Sequence, residues 1–187
     1  MMKVLIFSAP SGAGKSTVTQ HLLKVFPQLE FSVSATSRPA RGTERDGIEY
    51  YFVTPDRFRE LIEAGELVEW EEVYRDTFYG TLRSELERIH TRGHVAVFDV
   101  DVKGGINLKR IFGEQALALF IMPPSVEELR RRLTARGTDA PEVIERRIAK
   151  AAIEIADAPL FDRVIHNLEL AQTLAEAEKT VREFLDL

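Results

Sequence analysis

Four apolar residues, Val4-Leu5-Ile6-Phe7, lead into Ala9-Pro10-Ser11-Gly12-Ala13-Gly14-Lys15-Ser16-Thr17, and a helical pattern follows at once. Strand, glycine loop and helix in that order are the setting a phosphate-binding loop requires. Gly12 and Gly14 let the backbone turn tightly and aim several N–H groups inward, and the helix N-terminus adds partial positive charge. Residues Ser11, Gly12, Ala13, Gly14, Lys15, Ser16 and Thr17 are therefore expected to cradle a polyphosphate. Lys15 is placed to reach the β- and γ-phosphates, and the Ser16 hydroxyl to ligate magnesium. Ala9 stands where such loops usually begin with glycine. A left-handed φ there would cost alanine about 1 kcal/mol, and an ordinary φ almost nothing.

The remaining pattern alternates buried strands with helices. Val18, Leu22, Val25 and Phe26 mark the first helix, which Pro27 ends. Leu29–Val33 reads as a strand, the first part of the following arginine-rich stretch as a loop, and Tyr50–Val53 as a strand. Thr54-Pro55 caps a helix built on Phe58, Leu61 and Ile62 and stopped by Gly65. Leu67–Val73 alternates like a strand, FYGTL reads as a turn, and Leu82, Leu86 and Ile89 mark a helix ended by Gly93. Strong strands are expected at His94–Val100 and Ala116–Met122, helices at Val102–Phe112, from Val126 and from Pro141, a last strand at Val164–Asn167 and a closing helix from Leu170 to Phe184. This is an α/β fold with a mostly parallel central sheet flanked by helices. Shorter, alternating strands set residues 34–93 apart as a small insert.

The 187 residues suit one domain with a full core. A net charge of −5 argues against a broad nucleic-acid surface. There is no cysteine, hence no disulfide framework and no thiolate metal site. No apolar run is long enough to span a membrane, and the first residues lack a signal-peptide pattern, so the expectation is a cytoplasmic protein without membrane or nucleic-acid partners. The four histidines show no metal spacing and are read as structural or surface residues, and Trp70 and the tyrosines first as core. Arginines nevertheless cluster at Arg38, Arg41 and Arg45 and again from Arg130 to Arg147, which suits small anionic ligands.

Asp99 and Asp101 close an apolar strand at its carboxyl end, where ligands of open α/β sheets collect. If the strand continues through both, they share a face. Asp99 is placed to enter the magnesium shell, and the alternative for Asp101 is a cap on the following helix. Arg132, Arg136 and Arg147 lie in a helix, break, helix segment. Such a flap can close its guanidiniums over a γ-phosphate and spread transition-state charge.

The ordered set APSGAGKST, SVSATSRPARGTERDGIEYYF, LVEWEEV, FYGTL, VFDVDVKG and PPSVEELRRRLTARGT with the ERRI run resembles the guanylate kinase family across almost the whole chain. The resemblance implies a P-loop kinase core (residues 1–33, 94–129 and 157–187) carrying a GMP-binding insert (34–93) and a helical lid (130–156). It further implies that Arg38, Arg41, Tyr50 and Tyr79 hold the GMP phosphate, and that Ser34, Glu69, Thr81 and Asp101 read the guanine. Lys15, Arg132, Arg136 and Arg147 would be catalytic, and Asn167 would lie near the adenine of ATP. Phe78 stands where the family often has tyrosine, and contributes only packing. Thr81 stands where serine is common, and keeps the hydroxyl. Alanine at position 9 is compatible with the family.

The residues support this independently. Arg38, Arg41 and Tyr50 offer the donor-rich grip a dianionic phosphate needs. Glu69, between Val68 and Trp70, can accept from guanine N1–H and the 2-amino group together, which adenine cannot satisfy. The implied reaction is ATP + GMP giving ADP + GDP with Mg²⁺, in purine nucleotide metabolism and GMP recycling. The rival readings are a ribose-phosphate kinase of the same fold, a peptide-binding module that has lost catalysis, and a nucleic-acid-dependent NTPase.

Overall fold

The computed structural model describes residues 3–137 and 140–187, the side chain of Arg136 excepted. Two compact units emerge, Met1–Leu29 with Val97–Leu187, and Glu30–Ala96.

The larger unit holds most of a five-stranded sheet. Its strands are β1 (Val4–Ser8), β2 (Leu29–Phe31), β7 (Val95–Asp99), β8 (Ala116–Met122) and β9 (Arg163–His166), in the order β2-β7-β1-β8-β9. β8 pairs in parallel with β1 on one side, Val4 opposite Ala116, and with β9 on the other, Leu119 opposite Arg163. Strands covered on both faces read as continuous apolar runs, and Val4 to Phe7 are indeed wholly buried. The helices are α1 (Lys15–Val25), α4 (Val102–Phe112), α5 (Val126–Arg136), α6 (Pro141–Ala156) and α7 (Leu170–Leu185). α4 packs on β1 and β8, α1 against α7, and α5 against α6. Their starts follow local chemistry. Ser125 accepts from Glu128 N at the head of α5, and a proline opens α6. Gly137, at φ 67°, ends α5. Among the described residues no helix is long and apolar enough to cross a membrane.

The smaller unit holds a four-stranded sheet ordered β4-β3-β6-β5, from β3 (Ala35–Thr36), β4 (Tyr51–Phe52), β5 (Leu67–Tyr74) and β6 (Thr77–Leu82), with helices α2 (Pro55–Glu63) and α3 (Arg83–Thr91). Thr54 caps α2 by accepting from Arg57 N, and Phe58 with Leu61 turns inward onto Ala35, Leu67 and Phe78. The Phe58 and Phe78 rings stack at 5.2 Å.

Several sequence expectations need correction. FYGTL is not a turn but the body of β6; the turn precedes it, where Asp76 adopts φ 60°. Glycine stands at 80 because a Cβ would lie 2.7 Å from the Glu69 carbonyl oxygen and 3.1 Å from the Phe58 ring. The expected loop after Ser34 contains β3, held by pairing with Gly80 and Tyr79. Trp70 is 45 % exposed and Tyr74 is 74 % exposed, so neither is core. A bulge between Leu67 and Glu69 breaks strict alternation. It lets Leu67 and Trp70 share the face with Phe78, while Glu69 and Glu71 go to the other with Thr81 and Tyr79. β7 stops at Asp99, so Asp101 is outside the strand and alternation does not relate the two aspartates. On α6, where the spacing groups Ala152 with the apolar Ile144, Ile148, Ala151 and Ile155, Ala152 is exposed and Glu154 is buried instead.

Candidate active site

In the larger unit, the loop between β1 and α1 is set by two left-handed glycines, Gly12 at φ 87° and Gly14 at φ 101°. A side chain at Gly14 would collide with the Asn167 amide as well as strain the backbone. Ala9 is not among the positive-φ residues, so alanine is unstrained there. Asn167 is buried at the end of β9. It donates to the Ala13 carbonyl at 2.7 Å and accepts from Thr173 Oγ1 at 3.2 Å. It thus braces the loop from behind.

The Lys15 ammonium pairs with the Asp99 carboxylate and donates to the Val100 carbonyl at 2.8 Å, so the end of β7 aims it. Ser16 and Thr17 lie exposed on the first turn of α1. Asp101 caps α4, its Oδ1 accepting from Gly104 N at 2.9 Å. Its Oδ2 is 3.5 Å from Lys150, which also stands 3.3 Å from Glu154. Burial pushes the Glu154 carboxyl up despite Lys150; burial opposes the Lys150 charge too, but Glu154 and Asp101 outweigh it and raise that pKa.

Arg132 and Arg147 reach the loop. Arg132 Nη1 approaches the Gly12 carbonyl at 3.4 Å while its Nε is held by Glu128 at 2.8 Å. Arg147 Nη1 donates to Ser11 Oγ at 3.0 Å from α6. Arg131 and Arg132 together hold the Glu128 carboxyl at about 2. The Arg136 side chain lies outside the described residues. Arg130 on α5 and Glu145 on α6 pair and tie the two helices.

Among the described residues no three His, Cys, Asp or Glu side chains group as a metal cage. His21 pairs instead with Glu178 at 2.6 Å and His94 with Glu30 at 2.7 Å. What stands beside the loop, the Ser16 hydroxyl on α1 and the Asp99 carboxylate at the end of β7, are hard oxygen donors. That sparse set suits Mg²⁺, which keeps its waters and takes much of its coordination from substrate phosphates.

In the smaller unit, Arg38 follows β3 and is only 8 % exposed. Its Nε donates to the Tyr79 hydroxyl at 3.0 Å, and its two terminal nitrogens grip Glu44 at 2.7 and 2.8 Å. The guanidinium carbon lies 4.9 Å from the Tyr50 ring centre and 5.6 Å from that of Phe52. Glu44 raises the Arg38 pKa and Arg38 in turn holds the Glu44 carboxyl at about 2. Arg41 has an exposed side chain, and its N–H donates to Glu44 Oε2 at 2.8 Å. Glu69 and Thr81 face each other across β5 and β6, and Thr81 Oγ1 donates to Glu69 Oε1 at 2.9 Å. Tyr79 opposes Glu71 on the same face. Ser34 contributes its carbonyl to Tyr51 N at 2.9 Å. Arg38, Tyr50 and Tyr79 thus converge, and Glu69 meets Thr81.

Sequence reasoning passed over Glu44, Glu85 and Lys150. Glu85 is buried and accepts from Val33 N at 3.1 Å, Tyr51 Oη at 3.0 Å and Arg88. The signal for Glu44 was its place in the arginine-rich loop, three residues beyond Arg41; no helical or strand periodicity singles it out.

The guanylate kinase family model matches residues 1–184. The chain is 56% identical over 185 residues to a guanylate kinase of Bacteroides fragilis, covering 99% of this chain and 91% of that protein. It is 52% identical over 186 residues to the Porphyromonas gingivalis guanylate kinase, covering 99% of each. A crystal structure of guanylate kinase from Anaplasma phagocytophilum matches the fold with a TM-score of 0.77 at 34% identity, over 97% of this chain and 85% of that one. With a loop that can cradle a polyphosphate in one unit, a guarded arginine and a paired carboxylate in the other, and these similarities along its whole length, the chain belongs to the guanylate kinase family.

Proposed function

We propose that the protein transfers the γ-phosphoryl group of ATP to GMP, giving ADP and GDP, in purine nucleotide metabolism in the cytoplasm. The observation that carries the choice of GMP is the Glu69 carboxylate, oriented by Thr81 on the sheet whose neighbouring strand leads to Arg38. Guanine offers N1–H and a 2-amino group to that carboxylate, while Arg38, Arg41, Tyr50 and Tyr79 take the phosphate, and Ser34 and Asp101 complete the set assigned to the base. Residues 34–93 then form the GMP-binding insert, residues 130–156 a lid, and residues 1–33, 94–129 and 157–187 the core.

The nucleophile is a phosphate oxygen of GMP, already ionised at neutral pH, so no strong base is needed. It bonds to the γ-phosphorus as the bond to the β,γ-bridging oxygen breaks, and ADP leaves with that electron pair. Catalysis is then positioning and charge neutralisation. Backbone N–H groups of residues 11–17 hold the polyphosphate, Lys15 reaches its β- and γ-oxygens, and Arg132, Arg136 and Arg147 meet the charge that develops in transfer. Asn167 braces the loop near the adenine end. Mg²⁺, held by Ser16 and Asp99 with the nucleotide, would supply further neutralisation of phosphate charge.

ADP formation from ATP, with GMP, AMP, UMP and ribose phosphates offered in turn, tests the reading. Turnover with GMP alone is expected. Equal turnover with AMP or a ribose phosphate, or none with GMP, refutes it.

A further inference from the structure

Glu44 stands outside the residues assigned to GMP, yet the phosphate grip is organised through it. A guanidinium has five N–H donors in a fixed plane. On Arg38, Nε–H goes to Tyr79, one Nη1–H to the Pro39 carbonyl at 3.0 Å and another to Glu44 Oε2, and one Nη2–H to Glu44 Oε1. One Nη2–H remains. Because the Tyr79 oxygen accepts from Arg38, its own proton is left to be donated. Oε2 of Glu44 also accepts the Arg41 N–H, and Glu44 N donates to the Arg41 carbonyl at 3.0 Å, closing a turn. A single carboxylate therefore fixes the plane of one arginine and the backbone of the other.

Two roles are chemically open to a carboxylate in such a fork. It can stand where the phosphate goes and be displaced, or it can stay and aim the donors. The turn decides for the second. Glu44 is tied to Arg41 through its own backbone, and leaving would break three charge-assisted contacts at once. The dianion has no need of its place, since one Arg38 N–H, the Tyr79 hydroxyl and the Arg41 guanidinium stay available beside it.

We propose that Glu44 is a positioning residue for the GMP phosphate, which aims Arg38 and Arg41 without touching the nucleotide. The proposal rests on the assignment of these arginines to GMP. It makes an unusual prediction of sign. As a bare charge next to a phosphate, Glu44 repels it, so its neutralisation would tighten GMP. As the part that orients the grip, its loss weakens GMP.

The test is E44Q in the full chain, with Kd for GMP and for guanosine by calorimetry, KM for ATP, and a melting curve. Loss of charge-assisted bonds of this kind predicts GMP binding weakened by about 10- to 100-fold, with guanosine and ATP unchanged. E44D keeps the charge but draws the carboxylate back by one methylene, and should weaken GMP alongside E44Q. Tighter GMP binding by E44Q, or unaltered binding by E44D, overturns the proposal. So do equal losses for GMP and guanosine, which would mean a merely structural role. If the wild type binds guanosine as well as GMP, the phosphate assignment itself falls, which is a separate result.

Discussion

Glu69→Gln is the sharpest perturbation of substrate choice. The carboxylate is half-buried on β5 opposite Thr81, whose fully buried hydroxyl donates to Oε1 at 2.9 Å. That contact fixes the carboxyl plane, so in the proposed base-reading role two acceptor oxygens would meet guanine N1–H and N2–H. Glutamine keeps the shape but replaces one oxygen with a donor. Thr81 can turn to accept, yet in either amide orientation one guanine donor faces an N–H in place of an acceptor, and the other keeps only a neutral oxygen. A hydrogen bond to a charged group is worth about 1.5–3 kcal/mol, so kcat/KM for GMP should fall roughly 10- to 150-fold. Adenine has an acceptor at N1 and no 2-amino group, so the wild type should reject AMP by about 10⁴-fold or more, as sites built on polar pairing do. The variant should narrow that ratio, because its amide N–H can donate to adenine N1. The assay is kcat/KM for both nucleotides in wild type and variant, with KM for ATP as control. A wild type that uses AMP as readily as GMP, or a variant with an unaltered ratio, would refute the guanine-reading role of Glu69.

Lys15→Ala removes the ammonium that Asp99 and the Val100 carbonyl aim at the loop; single-turnover transfer should drop by about 10³-fold or more, the scale of a preorganised transition-state contact, and near wild-type turnover would remove the loop assignment. Gly105→Ala, inside α4, would gain about 1 kcal/mol of helix propensity, but its methyl collides with the buried Ser8 hydroxyl and meets the Phe161 ring at 3.0 Å. Overpacking of this kind costs about 1–3 kcal/mol, so the melting temperature should fall, and a rise would show that Ser8 and Phe161 yield freely. Acid should weaken the Glu30–Ala96 unit. Burial opposes ionisation of Glu85 and Glu30, but bonds from Arg88, with Val33 N and Tyr51 on Glu85 and His94 on Glu30, outweigh it and hold both below 4.5. The stabilisation is complete above that unfolded-state value and is lost as pH falls through the lowered folded-state values. Melting followed from about pH 6 to 3 should show the decline, and Glu85→Gln should flatten it; a flat wild-type profile would contradict the pairing.

The parts of this fold that were legible from sequence are those decided by neighbours in the chain. Val4–Phe7 and Ala116–Met122 announce buried strands by composition alone, Thr54-Pro55 carries its own cap, and Gly12 and Gly14 are where the loop must turn. Features set by distant partners were not legible. Gly80 looks like a turn residue until Phe58 and the Glu69 carbonyl are seen against it. β3 is two residues long and exists because Gly80 and Tyr79 pair with it. The bulge between Leu67 and Glu69 leaves no mark in the sequence, yet it decides that Trp70 goes to the face of Phe78 and Glu69 to the other. Asn167 was assigned beside adenine from resemblance, and its hydrogen bond to Ala13 could be found only in three dimensions.

The carboxylates beside the cations proposed to bind phosphate follow one logic. Lys15 is paired with Asp99, Arg38 with Glu44 and Arg132 with Glu128. Each partner subtracts from the attraction a polyphosphate or phosphate would feel, so affinity alone would favour its removal. Their presence is explained by the ligand-free protein. Arg38 is only 8 % exposed and the Lys15 side chain 18 % exposed, and cations so far withdrawn from water need a counter-charge or they distort their surroundings. A short-range partner also removes the rotamer freedom that a long side chain would otherwise lose on binding. Orientation is therefore settled before substrate arrives, which is the condition under which fixed charges stabilise a transition state rather than merely attract a ground state. Neutralising any one of the three carboxylates should then trade geometry for charge, and the sign of the change in transfer rate distinguishes which of the two governs at that position.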